Sequence, residues 1–296
     1  MRKLVFFVIY SFLVQAAWAQ VSNTFFLSPN QFFNHYYLLN PGNDNLREKL
    51  ELSAGNRSMI GVFSGVGNSY GNLKYSNYAE NNKQAHTLGL YFTNMRKGEY
   101  IQLNKITIRY AWTLALTEKV SLSAGAALGL VNYRLSASVA SAGGSDAGAD
   151  IGAGLWLFSE TFKIGMALQQ VLNTSLQPID EKLVLQRYVN FNPEYTISVG
   201  PFDFIKLRGW YLYSFSDELS NLMISPVYSW KEKLEVGGGY DQQRGIYVYT
   251  GLENVKIGNG DFRLGISYLL VSTRKLSNNT DSALEFSLAY RLKREE

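Results

Sequence analysis

Hydrophobic and polar residues alternate along most of the chain, and residues 282–292 at its end show the pattern most plainly. Leu284, Phe286 and Leu288 fall on one face of this stretch, whereas Glu285 and Ser287 fall on the other. Side chains of a β-strand point to opposite faces in turn, so this period of two predicts a strand. In a membrane barrel the first strand pairs with the last and no edge is left open. We therefore predict that residues 282–292 close such a barrel.

The same pattern predicts about fourteen strands, an even number as in bacterial single-chain barrels. They lie at residues 48–56, 68–77, 85–94, 103–114, 120–135, 148–159, 162–172, 188–199, 204–214, 219–230, 233–241, 245–254, 261–271 and 282–292. Short and longer connections alternate along most of the chain, although 77–84 and 241–245 depart from the rule. Outer-membrane barrels have short periplasmic turns and longer outer loops. The predicted fold class is all-β, a transmembrane antiparallel β-barrel.

A soluble β-sandwich would alternate in the same way, with its apolar face inward, so periodicity alone does not separate the two folds. Aromatic residues near strand ends favour the membrane, because they form girdles at both headgroup levels. The residues in question are Tyr110, Trp112, Tyr133, Tyr211, Tyr213, Tyr228, Trp230 and Tyr290. The alternative is that they are ordinary strand residues, since aromatic side chains favour strands in any setting.

The N-terminus carries an export signal. Arg2 and Lys3 precede an apolar run, and Ala17-Trp18-Ala19 provides a cleavage site, which together describe a secretory signal peptide over residues 1–19. A retained anchor is the alternative, but the run is too short to span a membrane as a helix. We assign residues 20–45 to an N-terminal periplasmic or plug segment and residues 46–296 to an outer-membrane barrel.

Composition excludes several functions. Removal of Arg2 and Lys3 lowers the formal net charge from +4 to +2, which is too small to indicate nucleic-acid binding. The chain has no cysteine, so it forms no disulfide and performs no thiolate chemistry. An exported chain without disulfides must depend on packing and hydrogen bonds for its stability.

Catalysis finds little support in the sequence. His35 and His86 are the only histidines, no serine stands in a nucleophile elbow, and two distant histidines do not form a zinc site. The run Gly237-Gly238-Gly239 lacks the following Lys and Ser or Thr of a phosphate loop. We therefore predict no catalytic residue, no metal and no cofactor, although a barrel lipid enzyme that uses either histidine stays an alternative.

Charged residues of both signs fall on the predicted inner faces of the strands. They are Arg109, Lys206, Arg208, Glu235, Arg263, Glu285 and Arg291. Such charges could line the constriction of an open porin or pair with one another and fill the interior. The sequence leaves both possibilities open.

The segment after the signal peptide carries a family resemblance. Residues 31–42 read Gln-Phe-Phe-Asn-His-Tyr-Tyr-Leu-Leu-Asn-Pro-Gly, which resembles the opening signature of the PorP/SprF family of type IX secretion system membrane proteins. That signature leads from a Ser-Gln motif into an Asn-Pro-Ala turn; here Asn30 replaces the serine and Gly42 the alanine. Residues 88–92, 108–112, 122–130, 150–156 and 162–167 are similar to the family's barrel segments, in the same order.

The resemblance implies a non-enzymatic outer-membrane barrel that works with type IX translocon subunits, secreted cargo such as gliding adhesins, or periplasmic machinery. Gln31, Asn40 and Pro41 match the signature. Together with Phe32 and Tyr37 they are our candidates for partner binding, and the alternative is a structural role at the periplasmic mouth. We predict a scaffold or cargo anchor, with a passive outer-membrane porin as the main alternative.

Overall fold

A computed structural model describes the greater part of the chain. The described residues are 29–44, 48–61, 65–79, 83–138, 142–180, 182–215, 220–271 and 282–294. The predicted signal peptide at 1–19 and the predicted boundary at 45/46 both lie outside the described residues.

The stretches in which hydrophobic and polar residues alternate form β-strands throughout the described part of the chain. In chain order the strands are β1 (Glu48–Ile60), β2 (Gly67–Tyr78), β3 (Gln84–Lys97), β4 (Ile101–Ala115), β5 (Ser121–Leu135), β6 (Gly144–Phe158), β7 (Phe162–Gln169), β8 (Ser175–Leu176), β9 (Leu183–Val184), β10 (Tyr188–Ser198), β11 (Phe204–Ser214), β12 (Ser220–Trp230), β13 (Leu234–Asp241), β14 (Gly245–Ile257), β15 (Gly260–Val271) and β16 (Ser282–Lys293). Of these, β8 and β9 were not predicted, and β6 begins before the predicted residue 148.

The remaining fourteen strands form one closed antiparallel barrel in which each strand pairs with its neighbours in sequence. β16 pairs with β1 along its whole length, from Ser282 opposite Ile60 to Lys293 opposite Glu48. The predictions of the fold class, of about fourteen strands and of closure by the last strand are therefore confirmed. Tight turns suit this topology; for example, Gly258 takes a φ of +58° in the two-residue turn between β14 and β15.

The two faces of each strand divide by polarity, with the apolar side chains outside. On β4, Ile106, Ile108 and Tyr110 are exposed on the outer surface, whereas Thr107 and Arg109 are buried inside. The same division holds on β16. A soluble sandwich would bury its apolar face, so this arrangement is that of a barrel with lipid outside and a polar interior.

Most of the predicted girdle residues lie on the outer surface. Tyr110, Trp112, Tyr213, Tyr228 and Trp230 are exposed there, close to strand ends. For Tyr133 the prediction was wrong, because its side chain is on the inner face and only 6% exposed. It packs there in an apolar cluster, since the odd-numbered positions of β5 face inward. The full cluster consists of Met95, Leu103, Val131, Tyr133, Leu176 and Leu185.

The two ends of the barrel differ. The short turns at 116–120, 159–161, 231–233 and 258–259 lie at the same end as residues 48 and 293, and we assign this end to the periplasm. The opposite, outer end carries the connections 136–143 and 170–187. The connection 170–187, which contains β8 and β9, folds inward, because Leu176 and Leu185 are fully buried in the cluster around Tyr133.

Helix is scarce in the described part of the chain. A 3₁₀ turn at Phe32–Asn34 leads into one turn of α-helix at Tyr36–Leu39. No helix among the described residues has the length and hydropathy that crossing a membrane requires. Both turns belong to residues 29–44, which lie inside the barrel and are called the inner segment below.

We expect Ile108→Arg to destabilise the barrel by about 2–4 kcal/mol, because a cation then replaces an apolar side chain near the middle of the lipid belt. The side chain is 61% exposed on the outer surface, so no change of packing inside the barrel complicates the result. Reversible urea unfolding in lipid vesicles measures the effect, with Glu118→Arg in an exposed periplasmic turn as the control. Equal stability of the two variants would contradict a lipid-facing β4.

Candidate functional site

The inner segment runs through the lumen from the level of β16 near its outer end to the periplasmic end. Nearly all of its residues are buried, although many of them are polar. Buried polar groups are stable only when they are hydrogen-bonded. The contacts that satisfy many of them come from side chains on the inner faces of many strands, and these contacts define the candidate site.

Glu285 holds the start of the inner segment. Its carboxylate accepts the backbone N–H of Asn30 at 2.6 Å and that of Gln31 at 3.2 Å, and it also accepts the hydroxyl of Tyr70 at 2.8 Å. The Gln31 side chain donates to the backbone carbonyl of Glu285 at 3.1 Å and accepts from the hydroxyl of Ser287 at 2.7 Å. The bonds of Asn30 and Gln31 join residues more than 250 positions apart and tie the segment to the closing strand.

Aromatic side chains fill the middle of the lumen. Phe33 lies edge-on to Tyr249, with ring centroids 5.1 Å apart. The guanidinium of Arg208 stands 4.1 Å from the centre of the Phe33 ring. Tyr36 packs against Trp156 at 4.9 Å. Edge-on aromatic pairs and cation–π contacts each add to the stabilisation that burial of the rings provides. This layer blocks the lumen at the level of the helical turn.

The hydroxyl of Tyr36 is held by charge. It donates to Glu194 at 3.1 Å, and Glu194 is in turn paired with Lys163 at 2.7 Å and with Arg208. Burial raises the pKa of Tyr36, and the neighbouring carboxylate of Glu194 raises it further. The phenol therefore stays protonated and keeps its role as a donor.

Arg109 and Asp44 hold the end of the inner segment at the periplasmic side. One guanidinium nitrogen of Arg109 donates to the carbonyl of Pro41 at 3.2 Å and to that of Asn43 at 2.6 Å. The carboxylate of Asp44 accepts the hydroxyls of Thr87 and Thr113 at 2.8 and 2.9 Å. Both the start and the end of the segment are thus anchored by charge-assisted hydrogen bonds, which are the stronger kind.

Glycines on the wall make room for the Asn40-Pro41 turn. The amide of Asn40 donates to the carbonyl of Leu155 at 2.9 Å, and its oxygen accepts the N–H of Gly42 at 2.8 Å. A Cβ at Gly154 would collide with the Asn40 side chain, and one at Gly125 would collide with the Pro41 carbonyl. The wall of β5 and β6 is therefore shaped to receive this turn.

The predicted inner charges pair rather than line an open channel. Glu235 pairs with Lys206 at 2.7 Å and with Arg208 at 3.2 Å, and Arg291 pairs with Glu253 at 2.9 Å. Arg263 instead donates to the carbonyl of Asn34 at 2.7 Å. Of the two possibilities that the sequence left open, the structure shows the filled interior.

The histidines lie in different places. His35 is fully buried in the inner segment, with its ring 4.5 Å from that of Tyr70, whereas His86 is exposed on the outer surface of β3 and bonds to the hydroxyl of Tyr110 at 2.7 Å. Within the described residues, no three His, Asp or Glu side chains are grouped as metal ligands would be. The prediction that neither histidine is catalytic stays a prediction.

All five candidate partner-binding residues are buried in the lumen. Gln31, Phe32, Tyr37 and Asn40 are at most 3% exposed, Pro41 is likewise buried, and their contacts are with the barrel wall. Their predicted docking role stays a prediction. The side chains on the wall that hold the segment include Tyr70, Glu194 and Gln169, which sequence reasoning missed; a polar residue at an inward position was the only signal for them.

Two parts of the chain occupy the lumen or its mouth. The inner segment fills the middle and the periplasmic part, and the connection 170–187 covers part of the outer mouth. Such a barrel has a blocked interior and two faces that are free to contact other molecules.

Two comparisons bear on identity. A family model described as type IX secretion system membrane protein PorP/SprF matches residues 27–290, which include the inner segment and nearly the whole barrel. A search of the curated proteins finds no match.

Solved outer-membrane channels share the fold. The CymD monoaromatic hydrocarbon channel superposes with a TM-score of 0.60 at 11% identity, covering 93% of this chain and 95% of that one. The toluene transporter TodX of Pseudomonas putida superposes at 0.56 with 12% identity over 91% and 95%. The outer membrane protein Omp33 of Acinetobacter baumannii superposes at 0.50 with 10% identity over 84% and 100%. At such identities the likeness establishes the barrel fold and nothing about transported molecules.

We expect the double variant Gly125→Ala, Gly154→Ala to loosen the inner segment by about 1–3 kcal/mol, because each added methyl group would overlap the Asn40-Pro41 turn. The chain has no cysteine, so a single Leu38→Cys substitution reports exposure of the segment by its rate of maleimide labelling. The control is Gly200→Ala, where the nearest atom to the new Cβ is 3.4 Å away. Unchanged labelling in the double variant would contradict the packed turn.

We also expect acid to release the inner segment. Burial lowers the pKa of His35 well below its usual value of about 6.5, and the nearby Arg263 lowers it further. A released His35 gains a proton as the pH falls through about 6.5 and the docked one does not, so docking is strongest above that pH and weakens below it. Labelling of Cys at position 38, normalised to the unfolded chain at each pH, should rise between about pH 7.5 and pH 5.

Two histidine variants test this dependence on pH. His35→Gln should remove most of it, whereas His86→Gln, which changes an exposed histidine, should leave it intact. If His35→Gln retained the full rise in labelling, another group would be responsible.

Proposed function

The chain belongs to the PorP/SprF family of type IX secretion system membrane proteins, and from this membership we propose that it is a non-enzymatic scaffold of that system. Family and fold together place it in the outer membrane. The finer role, as a scaffold or anchor for secreted cargo or translocon partners, is the proposal.

One observation carries it: the lumen is occupied by the chain's own inner segment. Glu285 and Arg109 bind backbone groups at the two ends of the segment, and aromatic rings fill the space between them. A barrel closed in this way offers no wide path for solutes. What it offers to other molecules is a periplasmic face of short turns and an outer face of longer loops.

The two faces define where partners would bind. The periplasmic turns present exposed apolar residues next to charge, such as Phe202 and Ile257 beside Lys231 and Lys256. They suit periplasmic machinery or another translocon subunit. The outer connections at 136–143 and 170–187 suit cargo or a partner barrel. The candidate residues Gln31 and Asn40 would take part only in a state in which the inner segment has left the lumen.

The absence of an enzymatic activity is also part of the proposal. The two histidines lie in different surroundings. His35 is enclosed among aromatic rings, and His86 is hydrogen-bonded to a tyrosine that faces lipid. Among the described residues, neither histidine is hydrogen-bonded to a serine in the way that a catalytic base is bonded to its nucleophile. If His35→Ala or His86→Ala changes cargo secretion, that change should therefore not be accompanied by a change in lipid hydrolysis.

We expect the intact barrel to conduct very little current in a planar lipid bilayer, because its lumen is filled. The double variant Glu285→Ala, Arg109→Ala should conduct more, since it removes both anchors and leaves the segment's backbone groups unpaired. Glu118→Ala, in a periplasmic turn, is the control. Robust conductance of the unaltered barrel would favour the passive porin instead.

Purification in mild detergent from the native membrane completes the test. Recovery of other type IX subunits or of a secreted cargo protein with the barrel is the expected result. Recovery of the barrel alone, together with a high conductance, would overturn the scaffold.

A further inference from the structure

The outer surface of β1–β6 changes character near the outer end of each strand. On β4 the outward side chains from Ile106 to Leu114 are apolar or aromatic, but the next two outward positions are Asn104 and Gln102. On β5 the change falls between Leu130 and Asn132. Strand pairing places these positions side by side, because Asn104 is opposite Asn132 and Gln102 is opposite Arg134.

The polar positions form a continuous band in two rows. The strand register joins the neighbours of the first row, which is Asn56, Ser69, Asn94, Asn104 and Asn132. The second row is Ser58, Arg96, Gln102, Arg134 and Ser145; the register joins its last four residues, and Gly67 of β2 stands between Ser58 and Arg96. We call these ten residues the polar band. The corresponding outward positions of β10–β16 carry mostly apolar or aromatic side chains, so the band belongs to one side of the barrel.

The position of the band matches the membrane boundary. On β4 and β5 it begins after five outward apolar positions, or about ten residues of strand, which is the length that crosses a bilayer. Several of its amides are already oriented by hydrogen bonds: Asn94 donates to Asn104 at 2.6 Å, and Asn56 donates to Ser69 at 2.8 Å. The band therefore stands at the level of the lipid headgroups in the outer leaflet.

Two arginines give the band a positive centre. Arg96 and Arg134 are both exposed and flank Gln102, two strands and so about 10 Å apart. Among the described residues neither arginine is in an ion pair with a carboxylate. Glu99, three residues from Arg96, is the nearest acid in sequence. Guanidinium groups bind phosphate in a bidentate manner, and amides bind sugar hydroxyls.

A hollow and an apolar trough adjoin this centre. A concavity of about 520 Å³ is lined by Asn132, Arg134 and Ser145 together with Leu135, Ser136, Ala137, Gly143 and Gly144. Below it, the outward side chains of β6 are Ala147, Ala149, Ile151 and Ala153, which form a shallow, mostly alanine trough that Ile151 narrows. The larger Leu130 of β5 stands opposite Ala149, and Ala126 stands opposite Ala153. The trough ends in a second, mostly apolar hollow of about 390 Å³ beside Leu155 and Met166.

We propose that the polar band binds the phosphorylated sugar headgroup of a glycolipid in the outer leaflet. Arg96 and Arg134 bind its phosphate groups, the amides of Asn104, Asn132 and Gln102 bind its sugar hydroxyls, and one acyl chain lies in the alanine trough. The charge, the amides and the apolar trough fall in the order that headgroup and chain of such a lipid require at a membrane boundary. A protein partner would not explain an apolar trough that continues into the lipid belt.

The test uses the full-length barrel in detergent and three probes. These are lipid A, which is a bis-phosphorylated diglucosamine lipid, the same lipid without its phosphates, and inorganic phosphate. Lipid A should bind, as seen by native mass spectrometry and titration, and the dephosphorylated lipid should bind at least about tenfold more weakly. Inorganic phosphate should not displace it at equal concentration. Equal binding of both lipids, or full displacement by inorganic phosphate, would overturn the headgroup assignment.

Variants locate the site. Arg96→Gln with Arg134→Gln should weaken lipid A binding by about 30-fold, given the usual contribution of one cation at a lipid surface. Lys119→Gln with Lys233→Gln removes the same charge at the periplasmic end and should leave binding unchanged. Ala153→Trp, which fills the trough, should also weaken binding, whereas Val248→Trp on the far side of the barrel should not. An arginine double variant that keeps its lipid but loses a co-purifying protein would make the band a protein interface and refute the proposal.

Discussion

Pairing of every backbone N–H and C=O in the absence of water is the constraint on which this structure depends. Lipid offers no hydrogen bonds, so a sheet that crosses the bilayer must close on itself. Here closure is made by β1 and β16, whose ladder runs without a break from Ser282 to Leu292 apart from one irregularity near Glu48. Closure in turn produces an interior that is lined by the polar half of each alternating strand. The remaining features of the molecule follow from how that interior is filled.

The interior is filled by the chain itself. Fully buried carboxylates and guanidinium groups are costly unless they are paired, and removal of one partner from such a pair typically costs about 3–5 kcal/mol. In this barrel Arg208 pairs with both Glu194 and Glu235, each of which also pairs with a lysine, while Glu285 and Arg109 bind backbone groups of the inner segment. The wall and the inner segment are therefore complementary. If either were absent, charges or amides of the other would lose their partners. This mutual dependence keeps the lumen filled, which is the observation that supports the proposed role of the two faces of the barrel.

On the outer surface, too, the polarity of the side chains matches that of their surroundings. Where lipid covers the strands, the outward residues are apolar; where it ends, β1–β6 change to amides, hydroxyls and the two arginines Arg96 and Arg134. The change occurs at matched register positions on neighbouring strands, so it marks a boundary that these strands share and not a local irregularity. An uneven rim of this kind gives the barrel one side that differs from the others, and the proposed glycolipid site lies on that side.

Local patterns of the sequence determined the strands, the number near fourteen, the closing strand and the outward apolar face, because a period of two and the turn residues are local properties. They did not determine which side chains meet inside. Asn30 and Glu285 are 255 positions apart, and no local pattern relates them. Tyr133 illustrates the same limit, since its position near a strand end suggested a girdle, but only the register of β5 decides that it faces inward. The signature at Gln31 and Asn40-Pro41 was visible in the sequence, whereas the site that receives it was assembled by tertiary structure alone, from single inward residues on many strands.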